Sequence, residues 1–227
     1  MEITEGIHRV DEASSNMAHS NVYLAINGKE LTVVDTGTPG NAKKIVEYIQ
    51  EIGYQPSDVT FIVLTHFHMD HAGSAKNLKD LLPNAKVATH AEDADYVEGK
   101  KPLPKPKNIL FRAVSGFIKL EPVPVDVRLK DGDKIGSLTV IDTPGHTPGS
   151  IALLDETRKT LFAGDTIRYD GKKVTGAPEN FSLDPAMAKA SIGELAVLNF
   201  DIMLPGHGEA LRPNAQDAIR EFYESQK

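Results

Sequence analysis

Residues 59–64, Val-Thr-Phe-Ile-Val-Leu, are apolar at every position but one. A strand of that kind needs cover on both of its faces, so it belongs to the inside of a layered fold. The loop beyond the run constrains the chain as strongly. Thr65-His66-Phe67-His68-Met69-Asp70-His71-Ala72-Gly73 puts three imidazoles and a carboxylate within six residues, where a buried strand opens into a loop. His66 and His68 are two apart, so in extended backbone both rings point to one side, while Asp70 and His71 come as the chain turns and face elsewhere. One short loop can therefore serve two metal ions. Histidine is scarce, at eight in the whole chain, and such clustering reads as metal ligation and not as a set of surface rings.

The rest of the chain repeats the theme of strands that end in chemistry. Residues 6–10, 21–26 and 31–34 read as a meander, with Asn27-Gly28 as the hairpin turn between the last two. Asp35-Thr36-Gly37 ends the meander, and Ala42, Ile45, Val46, Ile49 and Ile52 mark an amphipathic helix closed by Gly53. Ala75, Leu78, Leu81 and Leu82 predict a helix stopped by Pro83, and residues 86–89 a further strand. From 92 to 124 the periodicity fails. Within that span residues 100–107 carry four lysines and three prolines. They read as a solvated extended loop more readily than as a nucleic-acid patch, while residues 109–120 read either as a short helix over the site or as core.

Strand 138–141 runs into Asp142-Thr143-Pro144-Gly145-His146-Thr147-Pro148-Gly149-Ser150, and strands 151–154 and 160–163 come next, the second ending at Gly164-Asp165-Thr166. Asp184-Pro185 predicts the cap and first residue of a helix to about Leu198, and strand 200–204 ends at Pro205-Gly206-His207-Gly208 before a terminal helix from Pro213. Asp35, the His66 loop, His146, Asp165 and His207 thus all fall at strand ends, which predicts that they converge on one edge. The two halves share one plan, sheet first and helices outside, so the expected fold class is α/β, with two sheets packed face to face and helices on both flanks.

The 227 residues suit one compact domain over 1–227, and a hydrophobic fraction of 40% excludes a mostly disordered protein. There is no cysteine, hence no disulfide, thiolate ligand or cysteine nucleophile, and a metal must sit on His, Asp or Glu. With 32 acidic against 25 basic residues the net charge is −7, which disfavours a nucleic-acid partner. The N-terminal residues have no basic or apolar targeting pattern and no run suits a membrane span, so a soluble, cytoplasmic protein is expected, monomeric or homodimeric, acting on a small-molecule substrate.

The pattern His66-x-His68-x-Asp70-His71, with His146, Asp165 and His207 after it in order, resembles the signature of the metallo-β-lactamase superfamily over most of the chain. That resemblance implies an αββα four-layer sandwich of two mixed sheets. It assigns one metal to His66, His68 and His146, the other to Asp70, His71 and His207, and makes Asp165 a bridge. It implies two zinc ions, with iron or manganese compatible with the same nitrogen and oxygen donors. The implied reaction is hydrolysis of a small ester, lactone or thioester by a metal-bridging hydroxide, with Asp70 passing a proton to the leaving group. Two other readings share the motif: a mononuclear iron enzyme resembling the persulfide dioxygenases, and a phosphodiesterase or nuclease resembling the RNA-processing members. Common β-lactamases carry cysteine or another residue where Asp165 stands. Acyl-homoserine-lactone hydrolases have a tyrosine three positions beyond the bridging aspartate, where this chain has Arg168, with Tyr169 one later. Arg168 and Tyr169 are candidate substrate contacts, the first for an anionic group and the second for a carbonyl. Asp35 has no place in either triplet and reads as orienting a ligand His or as capping the next helix.

Overall fold

The structure, a computed structural model, describes residues 1–10, 20–104 and 120–227. It opens with the expected meander: β1 (Glu2–Thr4), β2 (Ile7–Arg9), β3 (Tyr23–Asn27) and β4 (Glu30–Val34), each antiparallel to the one before. Gly28, at φ 64°, closes the β3–β4 hairpin with Asn27 opposite Glu30. Helix α1 (Ala42–Glu51) returns the chain to β5 (Val59–Val63), which lies parallel to β4. Short α2 (Met69–Ala72) and α3 (Ala75–Leu81) lead to β6 (Lys86–His90), parallel to β5, and α4 (Ala91–Val97) precedes β7 (Val127–Leu129), parallel to β6. These strands form one sheet in chain order. The second sheet is built from β8 (Lys134–Ile135), β9 (Leu138–Asp142), β10 (Ile151–Asp155) and β11 (Thr160–Gly164), all antiparallel. A hairpin, β12 (Ile167–Tyr169) and β13 (Val174–Gly176), and helix α5 (Pro185–Leu195) come next, then β14 (Ile202–Pro205), parallel to β11, and α6 (Ala215–Ser225).

Strand alternation assigns the layers. Along β3, Leu24 and Ile26 point outward into a cluster with Ile45 and Ile49 of α1 and Leu78 of α3. Tyr23 and Ala25, on the other face, meet Val140, Ile151, Leu153 and Phe162 of the second sheet. Along β10 the pattern inverts: Ile151 and Leu153 face the first sheet, while Ala152 and Leu154 pack on Ile192 and Leu195 of α5 and Ile219 of α6. Side chains one apart on a strand serve opposite faces, so the order through the molecule is helix, sheet, sheet, helix. This is the αββα sandwich. Tyr23 and Phe162 join the sheets edge-to-face, with ring centroids 5.6 Å apart.

Several elements differ from the expectation. β1, β7, β8, β12 and β13 are two or three residues long, too short to show a period of two. Helix α4 falls in the span where the periodicity fails, because Asp93, Ala94 and Val97 form its buried face and the first is a carboxylate. The His90 ring starts it, with Nδ1 accepting from the Glu92 amide at 3.2 Å. Helix α5 begins where Asp184 predicts, its side chain accepting from the Met187 amide at 3.0 Å, and ends at Leu195. Most of the two alternatives for residues 109–120, and Lys105 and Lys107 of the basic run, lie outside the described residues. Among the described residues no helix is long and apolar enough to cross a membrane.

Candidate metal centre

Because β4 and β5 are parallel, and β11 and β14 are parallel, their C-terminal ends open on the same edge of the sandwich. Asp35 comes directly after β4, the His66 loop after β5, Asp165 after β11 and His207 after β14; His146 lies on the turn between β9 and β10. All seven expected ligands meet there. Their donor atoms fall into the triplets His66, His68, His146 and Asp70, His71, His207, and a third grouping, His66, His71, Asp165, joins the two. His68 caps α2, whose helical turn carries Asp70 and His71 round to the second triplet.

In the first triplet, Nδ1 of His68 is 3.1 Å from Nε2 of His66 and 2.9 Å from Nε2 of His146. In the second, Nε2 of His207 is 3.0 Å from Asp70 Oδ2 and 3.4 Å from Nε2 of His71, which is 3.7 Å from Asp70 Oδ2. Tetrahedral ligation at metal–nitrogen distances of about 2.0–2.1 Å needs donors about 3.3 Å apart, so both triplets fit a divalent ion. Asp165 lies between them, with Oδ1 at 3.2 Å from His71 Nε2 and Oδ2 at 3.5 Å from His146 Nε2. Its Oδ1 is buried and meets only ligand imidazoles, those of His71 and His207.

The surrounding groups fix the rings. Asp35 Oδ2 is 2.8 Å from His71 Nδ1, and the same carboxylate accepts from the Thr65 amide at 2.8 Å and from the Thr65 hydroxyl. Thr65 Oγ1 stands 3.1 Å from His66 Nδ1, so one buried aspartate steers two ligand rings toward the centre through Nε2. Helix α1 starts after Asn41, six residues beyond Asp35, and the Asp35 carboxylate bonds Thr65 and His71 and not the helix, which leaves it the orienting role of the two expected for it. Burial pushes the His66 imidazole well below its ordinary value, His68 down to about 4 and His146 down to about 3, so all three are neutral with free lone pairs at pH 7. Burial opposes charge on His71 too, but Asp35, Asp165 and Asp70 outweigh it and lift this ring well above 6.5. Burial would raise Asp70 and Asp165, yet the neighbouring His71 and further cationic groups hold both carboxyls below their ordinary range.

Arg168 and Tyr169 diverge. On β12 they point to opposite faces: the Arg168 guanidinium donates from Nη2 to Asp165 Oδ2, while the Tyr169 ring packs in the outer cluster with α5 and α6. Two residues absent from the sequence expectation hold the loops. Asp93, fully buried on α4, accepts from the Phe67 amide at 3.1 Å, from Thr147 Oγ1 at 2.7 Å and from the Gly149 amide at 2.7 Å, tying the His66–His68 loop to the His146 turn. Asn21 donates from Nδ2 to the carbonyls of Pro205 and Gly208 at 2.9 and 3.0 Å, bracing the His207 loop. The only sequence signal for Asp93 is a carboxylate where a helix would keep an apolar face. Gly206 lies directly against two of the candidate ligands: a Cβ there would stand 2.5 Å from Asp165 Oδ1 and 2.7 Å from His71 Cε1.

The family model for the metallo-beta-lactamase superfamily matches residues 17–207. Among curated relatives, the uncharacterized protein YobT of Bacillus subtilis is 35% identical over 153 residues, 66% of this chain and 63% of that one. The probable metallo-hydrolase YflN of the same organism is 26% identical, over 91% of this chain and 85% of its own. Acyl-coenzyme A thioesterase MBLAC2 of Bos taurus is 28% identical, over 89% and 78%. Among solved structures, a metallo-beta-lactamase family protein of Thermus thermophilus superposes with a TM-score of 0.73 at 21% identity, covering 99% of this chain and 80% of that one. The chain belongs to the metallo-beta-lactamase superfamily and is an enzyme of that metal-dependent hydrolase class.

Proposed function

We propose that the enzyme is a dinuclear zinc hydrolase that cleaves small carboxylic esters, lactones or thioesters, with thioesters the favoured class. The observation that carries the dinuclear reading is the buried carboxylate of Asp165 set between two donor triplets, with one oxygen toward His71 and the other toward His146. The preference for thioesters is supported by the acyl-coenzyme A thioesterase among the relatives. His66, His68 and His146 would hold one ion, Asp70, His71 and His207 the other, and Asp165 would lie between them. Bound there, divalent ions supply hydroxide at neutral pH and polarise the scissile carbonyl.

The chain's own contribution is positional and protonic. Asp35 and Thr65 hold the His66 and His71 rings in one orientation, so no reorganisation is needed when the site fills. Asp70 is partly exposed, unlike Asp165, and its Oδ2 is 3.0 Å from His207. Its neighbours His71 and His207 hold its carboxyl below the ordinary range, which keeps it ionised as an anionic ligand, and its partial exposure leaves it beside the path of a leaving group that must gain a proton. Metal analysis of protein expressed without added metal, together with a panel of thioesters, lactones, phosphodiesters and a cephalosporin, tests the proposal. Two zinc per chain and thioester turnover are expected; one iron per chain, or activity on phosphodiesters alone, would overturn it.

A further inference from the structure

Asp165 does not serve the two triplets equally. Its Oδ1 faces His71 Nε2 at 3.2 Å and His207 Nε2 at 3.5 Å, the two imidazoles of the second triplet. Its Oδ2, the oxygen turned to His146, is taken by Arg168 Nη2. The Arg168 side chain is 18% exposed, its Nε is buried without a hydrogen-bond partner, and the ion pair it makes is with Asp165. A guanidinium cannot shed its charge near neutral pH. The oxygen that would draw an ion toward His66, His68 and His146 is thus already facing a fixed cation.

We infer that Arg168 makes the two metal positions unequal: the position at Asp70, His71 and His207, with Asp165 Oδ1, fills first and holds its ion, and the position at His66, His68 and His146 fills second and exchanges. This rests on the dinuclear reading above. The donor sets agree with it. The second triplet with Oδ1 offers two carboxylates and two imidazoles, whereas the first offers three imidazoles and a half-neutralised carboxylate. Arg168 is therefore a positioning residue acting on the metals through Asp165. In a dry site its charge opposes a second cation across Asp165 far more strongly than it would in water.

Titration of the metal-free, full-length protein with cobalt(II) at pH 8, followed by calorimetry and by the visible cobalt bands, tests the inference. The native protein should bind two equivalents in separate steps. Arg168→Gln, which removes the charge and keeps a donor, should tighten the weaker step by about tenfold and leave the tighter one nearly unchanged. Arg168→Lys retains the charge and should retain the separation. His146→Ala should keep the tight equivalent and His207→Ala should lose it. Two equal steps in the native protein, an unchanged weak step in Arg168→Gln, equal narrowing by Lys and Gln, or the tight equivalent lost with His146 would each overturn the inference while leaving a dinuclear site standing. Uptake of a single equivalent by the native protein would overturn the dinuclear reading itself.

Discussion

Asp35 Oδ2 and His71 Nδ1 stand 2.8 Å apart, with the two side chains only 3% and 0% exposed. Asp35 reaches this position from a left-handed backbone, φ 59°, that its short polar side chain tolerates better than most. The pair sets His71 apart from the other ligand rings: with its three carboxylate neighbours it holds a proton, while His66, His68 and His146 have lost theirs.

This division makes the stability of the metal-free protein depend on pH in two opposed directions. His71, raised in the folded state, contributes stability that is complete below 6.5 and lost as pH climbs through its folded value. His68 and His146, lowered to about 4 and about 3, contribute in the opposite direction: their share is complete above 6.5 and lost as pH falls toward those values. Each lowered ring changes stability by about 1.4 kcal/mol per pH unit over its window. Chemical denaturation of the metal-free protein from pH 4 to 9 checks this, and Asp35→Asn should remove much of the loss on the alkaline side.

Asp93→Ala strands two buried amides, of Phe67 and Gly149, and leaves the Thr147 hydroxyl only Ser150 as a partner. The expected cost is about 2–4 kcal/mol in unfolding free energy, with metal lost first from the His66, His68, His146 position. Thermal melts with and without metal, and the metal content after dialysis, would show it.

Gly206→Ala should damage the opposite triplet, because the added methyl must displace Asp165 or the His71 ring. We expect a stability loss of about 1–3 kcal/mol and a fall in kcat of about 10²-fold from misplacement alone. Equal kinetics in the purified variant would show that the loop yields without moving the ligands.

Tyr169→Phe should leave kcat and KM nearly unchanged, since the ring lies among the side chains under α5 and α6 and the backbone carbonyl, which accepts from the Glu209 amide at 2.7 Å, is kept. A hydroxyl that stabilised an oxyanion would instead cost about 10²–10³-fold in kcat.

The clustering of the candidate ligands was legible in the sequence because their loops open from the ends of apolar strands, so the fold that buries the strands also brings the loops together. Their supports were not. Asp93 reaches the centre from α4, 26 residues beyond Phe67, and no local pattern links an aspartate to a distant amide. Asn21 holds carbonyls 184 and 187 residues away. Arg168 and Tyr169 were legible as a pair but not as opposites, because a strand of three residues gives no period from which to read which of them faces the metals.

Neither half of the chain owns a complete coordination set. His66 and His68 come from the first sheet and His146 from the second; Asp70 and His71 come from the first, Asp165 and His207 from the second. On the proposed dinuclear reading, an ion at either position would act as a rivet through the joint between the sheets, closing a loop as long as the 136 residues from His71 to His207. Such a rivet binds the docked state alone, and at a thousandfold excess over its dissociation constant it would hold the joint by about 4 kcal/mol. Chelation should then be felt as slippage between the two halves before either sheet melts, and metal supply would be a mechanical as well as a chemical condition for the proposed activity.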